Sequence, residues 1–275
     1  MIQYHTSINP SINHKVNTFT FPGGEVGTNV GATVSEYPER VTHVWVDARL
    51  TNSEDFMNLV MATDALREQY NQAKFALMIP YIPYARQDRV CNVGEALSIR
   101  AFAKQLNALE YDLVQVFDPH SPVSTALIKN VTVMDQFEIF KDAKPSFGNY
   151  TIVAPDQGAV KKCEDFAKKV GAKGVISFTK TRDLATGKIT SIKCLDEIKP
   201  EENYLVLDDI CDGGRTFIEL AAMFNDHGEG RFELMVTHGI FSKGVDCVAA
   251  HFDRIYTTNS FRDIDHPAVT TIDLF

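Results

Sequence analysis

The chain has 275 residues, of which 44% are hydrophobic and 23% charged, a composition typical of a soluble globular protein with one large domain or two smaller ones. Its formal net charge of −9 argues against a nucleic-acid partner, because such binding depends on clustered cations. No apolar run approaches the roughly 20 residues that span a bilayer, and the N-terminal segment lacks the apolar core of a signal peptide, so no membrane partner is expected.

The cysteines indicate a reducing compartment. Cys91, Cys163, Cys194, Cys211 and Cys247 are scattered along the chain, and no two of them have CxxC spacing. This distribution argues against a disulfide framework or a zinc site. We therefore expect a cytoplasmic protein.

Strands and helices alternate along the first half of the chain. The helix over residues 54–70 has apolar residues on one face, and short apolar runs before and after it predict strands. The predicted elements are strands at 41–46, 75–79 and 113–117 and helices at 54–70 and 96–109. A looser segment at 129–149 supplies the predicted domain boundary, giving domains of 1–145 and 146–275.

The second half repeats this rhythm. The predicted strands lie at 151–154, 175–179, 189–195, 204–207, 233–238, 254–257 and 269–272. A helix is predicted at 159–170, with Lys161, Lys162, Lys168 and Lys169 on its exposed side, and another begins near 217. Alternating strands and helices predict an α/β fold with mostly parallel sheets, in which ligands bind beyond the carboxyl ends of strands.

The stretch YLVLDDICDGGRTF at 204–217 carries the clearest chemistry. Its apolar run predicts a buried strand that ends where Asp208 and Asp209 begin. The glycine-containing loop 212–216 then turns the chain into a helix, and its N–H groups suit a phosphate. Carboxylates can accept hydrogen bonds from sugar hydroxyls or hold Mg²⁺ through water. The stretch therefore predicts a phosphorylated-sugar site; the alternative is an acidic turn before a capped helix.

This stretch resembles the phosphoribosyl-diphosphate loop of type I phosphoribosyltransferases and ribose-phosphate diphosphokinases. The family pattern is two acids, two spacers and Asp-Thr-x-Gly-Thr, in which Gly213 replaces a Thr and Arg215 replaces a Gly. The resemblance implies two phosphoribosyltransferase-like domains. It also implies sugar-phosphate binding by a set of seven residues, namely Asp208, Asp209, Asp212, Gly213, Gly214, Arg215 and Thr216.

The segment YIPYARQDRV at 81–90 has two arginines and a glutamine among aromatic residues, which suits a purine nucleotide. The alternative is a solvated basic loop. The segment is similar to one in ribose-phosphate diphosphokinases whose Arg-Gln pair lies at the ATP site, which implies that Arg86 and Gln87 contact ATP. Simple phosphoribosyltransferases lack it.

The segment FPGGEV at 21–26 can be read as a glycine turn. It also resembles a family segment that lines the adenine site of a neighbouring subunit. That resemblance implies ATP binding by Phe21 and Glu25 across a homodimer or a dimer-based homo-oligomer.

Three further stretches match the family. His120 follows a predicted strand, and the resemblance implies an ATP and metal contact, although a single histidine by itself is more often structural. Asp156 resembles a Mg²⁺ contact of the family. Lys180 and Arg182 have the spacing of the family's flexible catalytic loop; the alternative is a hairpin tip with solvated charges.

The resemblance implies a Mg²⁺-dependent enzyme that transfers the diphosphoryl group of ATP to the anomeric hydroxyl of ribose 5-phosphate, giving phosphoribosyl diphosphate and AMP. Three alternatives stay open. The acceptor could be a larger 5′-substituted ribose such as ADP-ribose, because two glycines open the loop and Arg215 could meet a second phosphate. The chain could instead be a phosphoribosyltransferase or a non-catalytic regulatory homologue.

Overall fold

The structure, a computed structural model, describes residues 1–32, 38–143, 147–182, 189–224 and 228–275, without the side chains of residues 180–182 and 189–192. The chain forms two compact units, Met1–Met134 together with Phe275, and Asp135–Leu274. The predicted boundary between residues 145 and 146 lies outside the described residues. The predicted α/β class is confirmed, because each unit contains a mostly parallel sheet flanked by helices.

Unit 1 is built on a six-stranded sheet. The strands of the unit are β1 (Ile2–Thr6), β2 (His14–Lys15), β3 (Asn17–Thr20), β4 (Val26–Asn29), β5 (His43–Ala48), β6 (Lys74–Met78), β7 (Leu113–Phe117) and β8 (Val131–Met134). Its α-helices are α1 (Ser53–Gln69), α2 (Ser98–Asn107) and α3 (Pro122–Leu127). The sheet order is β2-β1-β5-β6-β7-β8, with β5 to β8 parallel and β1 antiparallel to both neighbours.

Period-two burial explains the predicted strands of unit 1. In β5, Val44, Val46 and Ala48 are buried, whereas Trp45 and Asp47 on the opposite face are half-buried. The buried face joins a core that includes the apolar residues of α1 and α2. Because successive strand side chains point to opposite faces, the alternation is visible in the sequence.

The N-terminal segment contains four strands that its short apolar pieces did not predict. The hairpin β3–β4 is a separate two-stranded sheet. Its strands are fixed to α1, because Thr20 Oγ1 donates to Glu54 Oε1 at 2.9 Å and Thr28 Oγ1 donates to Asn58 Oδ1 at 3.3 Å. No residue of β3 or β4 is buried, so the pairing of the two strands with each other and their contacts with α1, rather than a buried face, define them.

Unit 2 is built on a seven-stranded sheet. Its strands are β9 (Tyr150–Ala154), β10 (Gly174–Arg182), β11 (Ile189–Cys194), β12 (Asn203–Cys211), β13 (Phe232–Gly239), β14 (Arg254–Thr258) and β15 (Val269–Ile272). Its α-helices are α4 (Gln136–Phe140), α5 (Val160–Val170), α6 (Arg215–Ala221) and α7 (Asp246–Ala249). The sheet order is β11-β10-β9-β12-β13-β14-β15, and every pairing except β10 with β11 is parallel.

The segment 129–149, interpreted from its sequence as loose, contains β8 and α4. The N-cap Asp135 starts α4, because its Oδ1 accepts a hydrogen bond from Glu138 N at 3.0 Å. A strand and a helix this short lack enough residues for a periodic signal. Across the described residues, no helix combines the length and the apolar character needed to cross a bilayer.

Asn52→Ala is expected to lower the free energy of unfolding of unit 1 by about 1 kcal/mol. The reason is that Asn52 Oδ1, at the N-cap of α1, accepts a hydrogen bond from Asp55 N at 2.9 Å. Urea unfolding followed by the fluorescence of Trp45, the single tryptophan, measures the change in this unit. Asn52→Asp keeps the acceptor and is the control; equal losses in both variants would contradict the capping role.

Candidate functional site

The acidic pair lies inside a strand rather than beyond its end. We predicted that the strand would stop at Leu207, but β12 continues to Cys211, with Asp208 opposite Val236 and Cys211 opposite Gly239 of β13. All eight residues of β13 are buried, and this central neighbour continues the ladder past the apolar run. Asp208 and Asp209 therefore occupy the carboxyl-terminal part of β12, and both are half-buried.

Burial raises the pKa of Asp208 well above the usual range of a carboxyl group, and the negative charge of Asp209 adds to this effect. Two interactions oppose it. The positive charge of Lys162 lowers the pKa of Asp208, and Asp209 N donates a hydrogen bond to Asp208 Oδ1 at 2.9 Å. Adjacent carboxyl groups in such surroundings favour hydroxyl donors or a cation over a phosphate.

Lys162 was placed on the exposed side of its helix by the sequence, and the structure corrects this. It is half-buried in the first turn of α5. The next residue, Cys163, is buried and its Sγ lies 3.7 Å from Leu207 O, so the start of α5 packs where the apolar part of β12 ends. Helical periodicity indicates which side of a helix is exposed to solvent. It does not indicate that a polar residue in the first turn, such as Lys162, lies close to a carboxyl group of another strand.

Asp156 reaches the same edge of the sheet from the neighbouring strand. Val153 of β9 pairs in parallel with Val206 of β12, so Asp156 and Asp209 each lie three residues beyond a paired position. Neighbouring strands are about 4.8 Å apart. The Oδ1 atom of Asp156 accepts a hydrogen bond from Ala159 N at 3.2 Å, ahead of α5. The carboxyl ends of β9 and β12 thus present three carboxyl groups at one edge.

The loop after β12 is held by backbone hydrogen bonds from the segment after β13. Cys211 O accepts from Ile240 N at 2.9 Å and from Phe241 N at 3.0 Å, and Asp212 O accepts from Ser242 N at 3.1 Å. We call residues 240–242 the strap. Its hydrogen bonds fix the start of the glycine loop against a buried Phe241 side chain.

The two glycines of the loop have different roles. Gly214 has φ +74°, and a Cβ atom there would lie 2.4 Å from Val248 Cγ2, so the backbone and the packing both require glycine. A Cβ atom at Gly213 would lie 3.6 Å from Lys243 Cε, an ordinary contact. Arg215, which starts α6, is exposed and its Nε lies 2.5 Å from Glu219 Oε1.

A buried side-chain amide stabilises the part of β12 that carries Asp208 and Asp209. The side chain of Gln136, the first residue of α4, donates from Nε2 to Asp208 O at 2.7 Å and to Thr237 Oγ1 at 3.2 Å. It therefore joins β12 to β13 at the height of the acid pair. Our sequence analysis missed Gln136, because it lies in the segment interpreted as loose.

The predicted catalytic pair lies on a hairpin. In the backbone, Lys180 of β10 pairs with Ile192 and Arg182 pairs with Ile189 of β11, with a register shift between residues 181 and 182. The side chains of the two cations and the connection 183–188 lie outside the described residues. The lid role therefore stays a prediction.

In unit 1, Arg86 and Gln87 are exposed on the loop that follows β6. Buried Ile82 and Ala85 anchor this loop, and Gln87 N donates to Tyr84 O at 2.9 Å. The side chains of Arg86 and Gln87 are thus exposed on a loop whose backbone is anchored by buried neighbours. This arrangement suits ligand contacts, and the contact of Arg86 and Gln87 with ATP, which the resemblance implied, stays a prediction.

The other predicted nucleotide residues also lie on turns of unit 1. His120 is exposed after β7, two residues beyond the buried Asp118. Phe21 and Glu25 close the β3–β4 turn, because Phe21 N donates to Glu25 O at 2.8 Å. The Phe21 side chain is 50% exposed and packs edge-on against Phe19 with ring centroids 5.0 Å apart. Such exposed rings are available to a ligand or a partner.

The described side chains do not by themselves form a complete metal site. No cluster of three or more His, Cys, Asp or Glu side chains that could hold a metal occurs among the described residues. Mg²⁺ typically keeps several waters and uses one or two carboxylates together with substrate phosphates. Asp156, Asp208 and Asp209 lie at the same end of the sheet without forming such a cluster, so any metal contact there would use only one or two of these carboxylates.

Residues 7–109 match the family model described as the N-terminal domain of ribose phosphate pyrophosphokinase. The ribose-phosphate pyrophosphokinase of Pyrococcus abyssi is 32% identical over 213 residues, which cover 75% of this chain and 72% of that protein. The one from Sulfurisphaera tokodaii is 27% identical, with 96% of this chain and 88% of that protein covered. The phosphoribosylpyrophosphate synthetase structure from Mycobacterium smegmatis has a TM-score of 0.74 at 20% identity, covers 95% of this chain and 86% of that one, and so shares the fold.

Asp208→Asn is expected to stabilise the protein at pH 7 by about 0.5–2 kcal/mol. Burial raises the pKa of Asp208 in the folded state, so the folded state holds this proton more tightly than the unfolded chain. As the pH rises above about 4, ionisation of Asp208 therefore costs the folded state more than the unfolded chain, and the free energy of unfolding falls. The asparagine of the variant does not ionise, so the variant keeps this stability.

Thermal unfolding at pH 5 and pH 8 measures this effect, with a larger gain expected at pH 8. The control is Asp265→Asn, because Asp265 is an exposed acid of the same unit and no change is expected. A melting temperature of Asp208→Asn equal to that of the wild type at both pH values would contradict the assignment.

Proposed function

Because the chain belongs to the ribose-phosphate pyrophosphokinase family, a family of transferases, we propose that it transfers the diphosphoryl group of MgATP to the anomeric hydroxyl of ribose 5-phosphate. The products would be phosphoribosyl diphosphate and AMP. The observation that carries this proposal is the acidic edge of unit 2, where Asp156, Asp208 and Asp209 adjoin a glycine loop.

The acidic pair and the glycine loop would hold the sugar. Carboxylate oxygens of Asp208 and Asp209 accept hydrogen bonds from the 2- and 3-hydroxyls, or bind Mg²⁺ through its waters. Backbone N–H groups of the loop 212–216 donate to the 5′-phosphate. The strap and Gln136 fix the loop and the strand on which these contacts depend, so the sugar is positioned without rearrangement of the backbone.

The reaction itself asks for little covalent chemistry from the protein. The anomeric oxygen forms a bond to the β-phosphorus of ATP as the bond from that phosphorus to the oxygen shared with the α-phosphorus breaks, and AMP leaves with that oxygen. The hydroxyl proton goes to solvent. Catalysis then rests on in-line positioning and charge neutralisation, to which bound Mg²⁺ contributes.

Several polar and charged side chains would bind the triphosphate of ATP and its metal ion. Arg86 and Gln87, exposed on a rigid loop, would contact ATP, and His120 would contact ATP or its metal ion. Asp156 would contribute a carboxylate to Mg²⁺. Lys180 and Arg182 would neutralise the charge that develops on the transferred group.

We further propose that the active form is a homodimer or a dimer-based homo-oligomer. Phe21 and Glu25 lie on a hairpin that presents exposed aromatic rings away from the core of unit 1. In such an assembly, this hairpin would complete the nucleotide site of a neighbouring subunit.

ADP-ribose is a second candidate acceptor. The absence of a side chain at Gly213 leaves room beside the loop for a second phosphate. Arg215 is exposed and pairs with Glu219 through Nε, and its guanidinium has further N–H donors that such a phosphate could use. A phosphoribosyltransferase would need a base and no ATP, and the 81–90 segment counts against it. A non-catalytic homologue would show no turnover of ATP when purified alone.

Assays with ATP and each sugar test these candidates. Incubation of the purified chain with ATP, Mg²⁺ and ribose 5-phosphate is expected to release AMP and give a product heavier by one diphosphoryl group. ADP-ribose in a parallel assay reports on the second acceptor. The absence of AMP release with both sugars, with and without added base, would contradict the diphosphokinase proposal.

Lys180→Ala is expected to lower kcat by at least about 10², because it removes a cation that neutralises charge in the transition state. Steady-state kinetics with saturating ATP and sugar measures the loss. Lys193→Ala is the control, since Lys193 is exposed on the neighbouring strand β11 opposite Thr179. An unchanged kcat in Lys180→Ala would remove this residue from the mechanism.

A further inference from the structure

We propose that Lys243 is a specificity-determining residue of the acceptor site, whose ammonium group binds the phosphate on the 5′ oxygen of the sugar beside Gly213. This inference rests on the proposed function and extends it to a residue outside the 208–216 stretch. The shared ligand chemistry is a 5′-phosphate, either the monoester of ribose 5-phosphate or the diphosphate of ADP-ribose.

The Lys243 side chain extends past the glycine loop. A Cβ atom built on Gly213 would lie 3.6 Å from Lys243 Cε and 3.8 Å from Lys243 Cδ. The methylene groups nearest the ammonium therefore lie beside Gly213, at the distance of an ordinary van der Waals contact from where its side chain would begin. Because Gly213 has no side chain, there is open space beside it, and the Lys243 side chain lines that space.

The backbone holds Lys243 in this place. Lys243 directly follows the strap, in which Ser242 N donates to Asp212 O at 3.1 Å. On its other side, Gly244 N donates to Phe241 O at 2.9 Å, which closes a turn around Lys243. Phe241 is buried and has φ +45°, so packing fixes this turn. The backbone of Lys243 thus keeps its position relative to the glycine loop, so its side chain starts from a fixed point beside Gly213.

The charge of Lys243 is available to a ligand. Its side chain is exposed, and it has no ion pair or hydrogen bond among the described residues. The neighbouring cation Arg215 is paired with Glu219 at 2.5 Å, which offsets its charge. Of these two cations, Lys243 is therefore the better placed to meet an anion at Gly213.

A cation at this place has a clear chemical role. The carboxyl groups of Asp208 and Asp209 would repel a phosphate, whereas a phosphate beside Gly213 would be attracted by the lysine. An ammonium group donates up to three hydrogen bonds and acts as a point charge, so it can serve a monoester or a diphosphate. Lys243 would thus separate the phosphate end of the acceptor from its hydroxyl end.

Acceptor kinetics and binding of Lys243→Ala test this inference. The KM for the phosphorylated acceptor is expected to rise about tenfold or more, with the KM for ATP unchanged and kcat reduced less than about threefold. Isothermal titration of ribose 5-phosphate without nucleotide should show a similar loss of affinity. Unphosphorylated ribose should bind both proteins equally weakly, because it lacks the group that Lys243 recognises.

Two further variants sharpen the result. Lys243→Arg keeps a cation and should recover most of the affinity, whereas Lys168→Ala, a change of an exposed lysine on α5, should behave as the wild type. The same measurements are made with ADP-ribose. Of ribose 5-phosphate and ADP-ribose, the acceptor whose affinity falls more in Lys243→Ala is the one whose phosphate the ammonium group binds.

The failure of this inference differs from that of the proposed function. An active wild type whose acceptor KM and affinity are unchanged by Lys243→Ala would overturn the role of Lys243 alone. Equal losses with ribose and ribose 5-phosphate would also overturn it, because the effect would not depend on phosphate. A wild type that neither binds nor turns over either acceptor would overturn both.

Discussion

The candidate site depends on a pair of carboxyl groups kept half-buried at the end of a central strand. Placing Asp208 beside Asp209 away from water opposes the ionisation of Asp208, and its pKa is raised accordingly. The surrounding elements offset part of this cost through the Lys162 charge and the Asp209 N–H group. An arrangement that sacrifices stability at a parallel-sheet edge is typical of a functional site.

The second constraint is the shape of the backbone after the acid pair. The strap hydrogen bonds to Cys211 O and Asp212 O, and Gly214 turns the chain in a conformation where a side chain would collide with Val248. These contacts determine where the loop amides lie. They leave the Gly213 side open, which is where this chain departs from the family pattern. Under the proposed function, the residues that line this opening would determine the acceptor specificity.

The architecture was predictable because buried parallel strands and amphipathic helices have periods that a sequence displays. The predicted bounds of β7 and β15 agree with the structure to the residue, and most others differ by one or two residues. The hairpin strands β3 and β4 were not predictable, because none of their residues is buried and so they lack the buried face that marks the other strands. The last residues of β12 were missed because their pairing with β13, not their own hydrophobicity, makes them a strand.

The sequence by itself determined the α/β class, the family and the kinds of side chain at the site, because these follow from periodicity and from motifs within short segments. It placed the acid pair, both glycines and Arg215 in one stretch. Only the tertiary structure decided which distant cations face that stretch: Lys162 from α5 toward Asp208, and Lys243 toward Gly213. The physical reason is that electrostatic interaction depends on distance through space, which the packing of α5 and the strap determines.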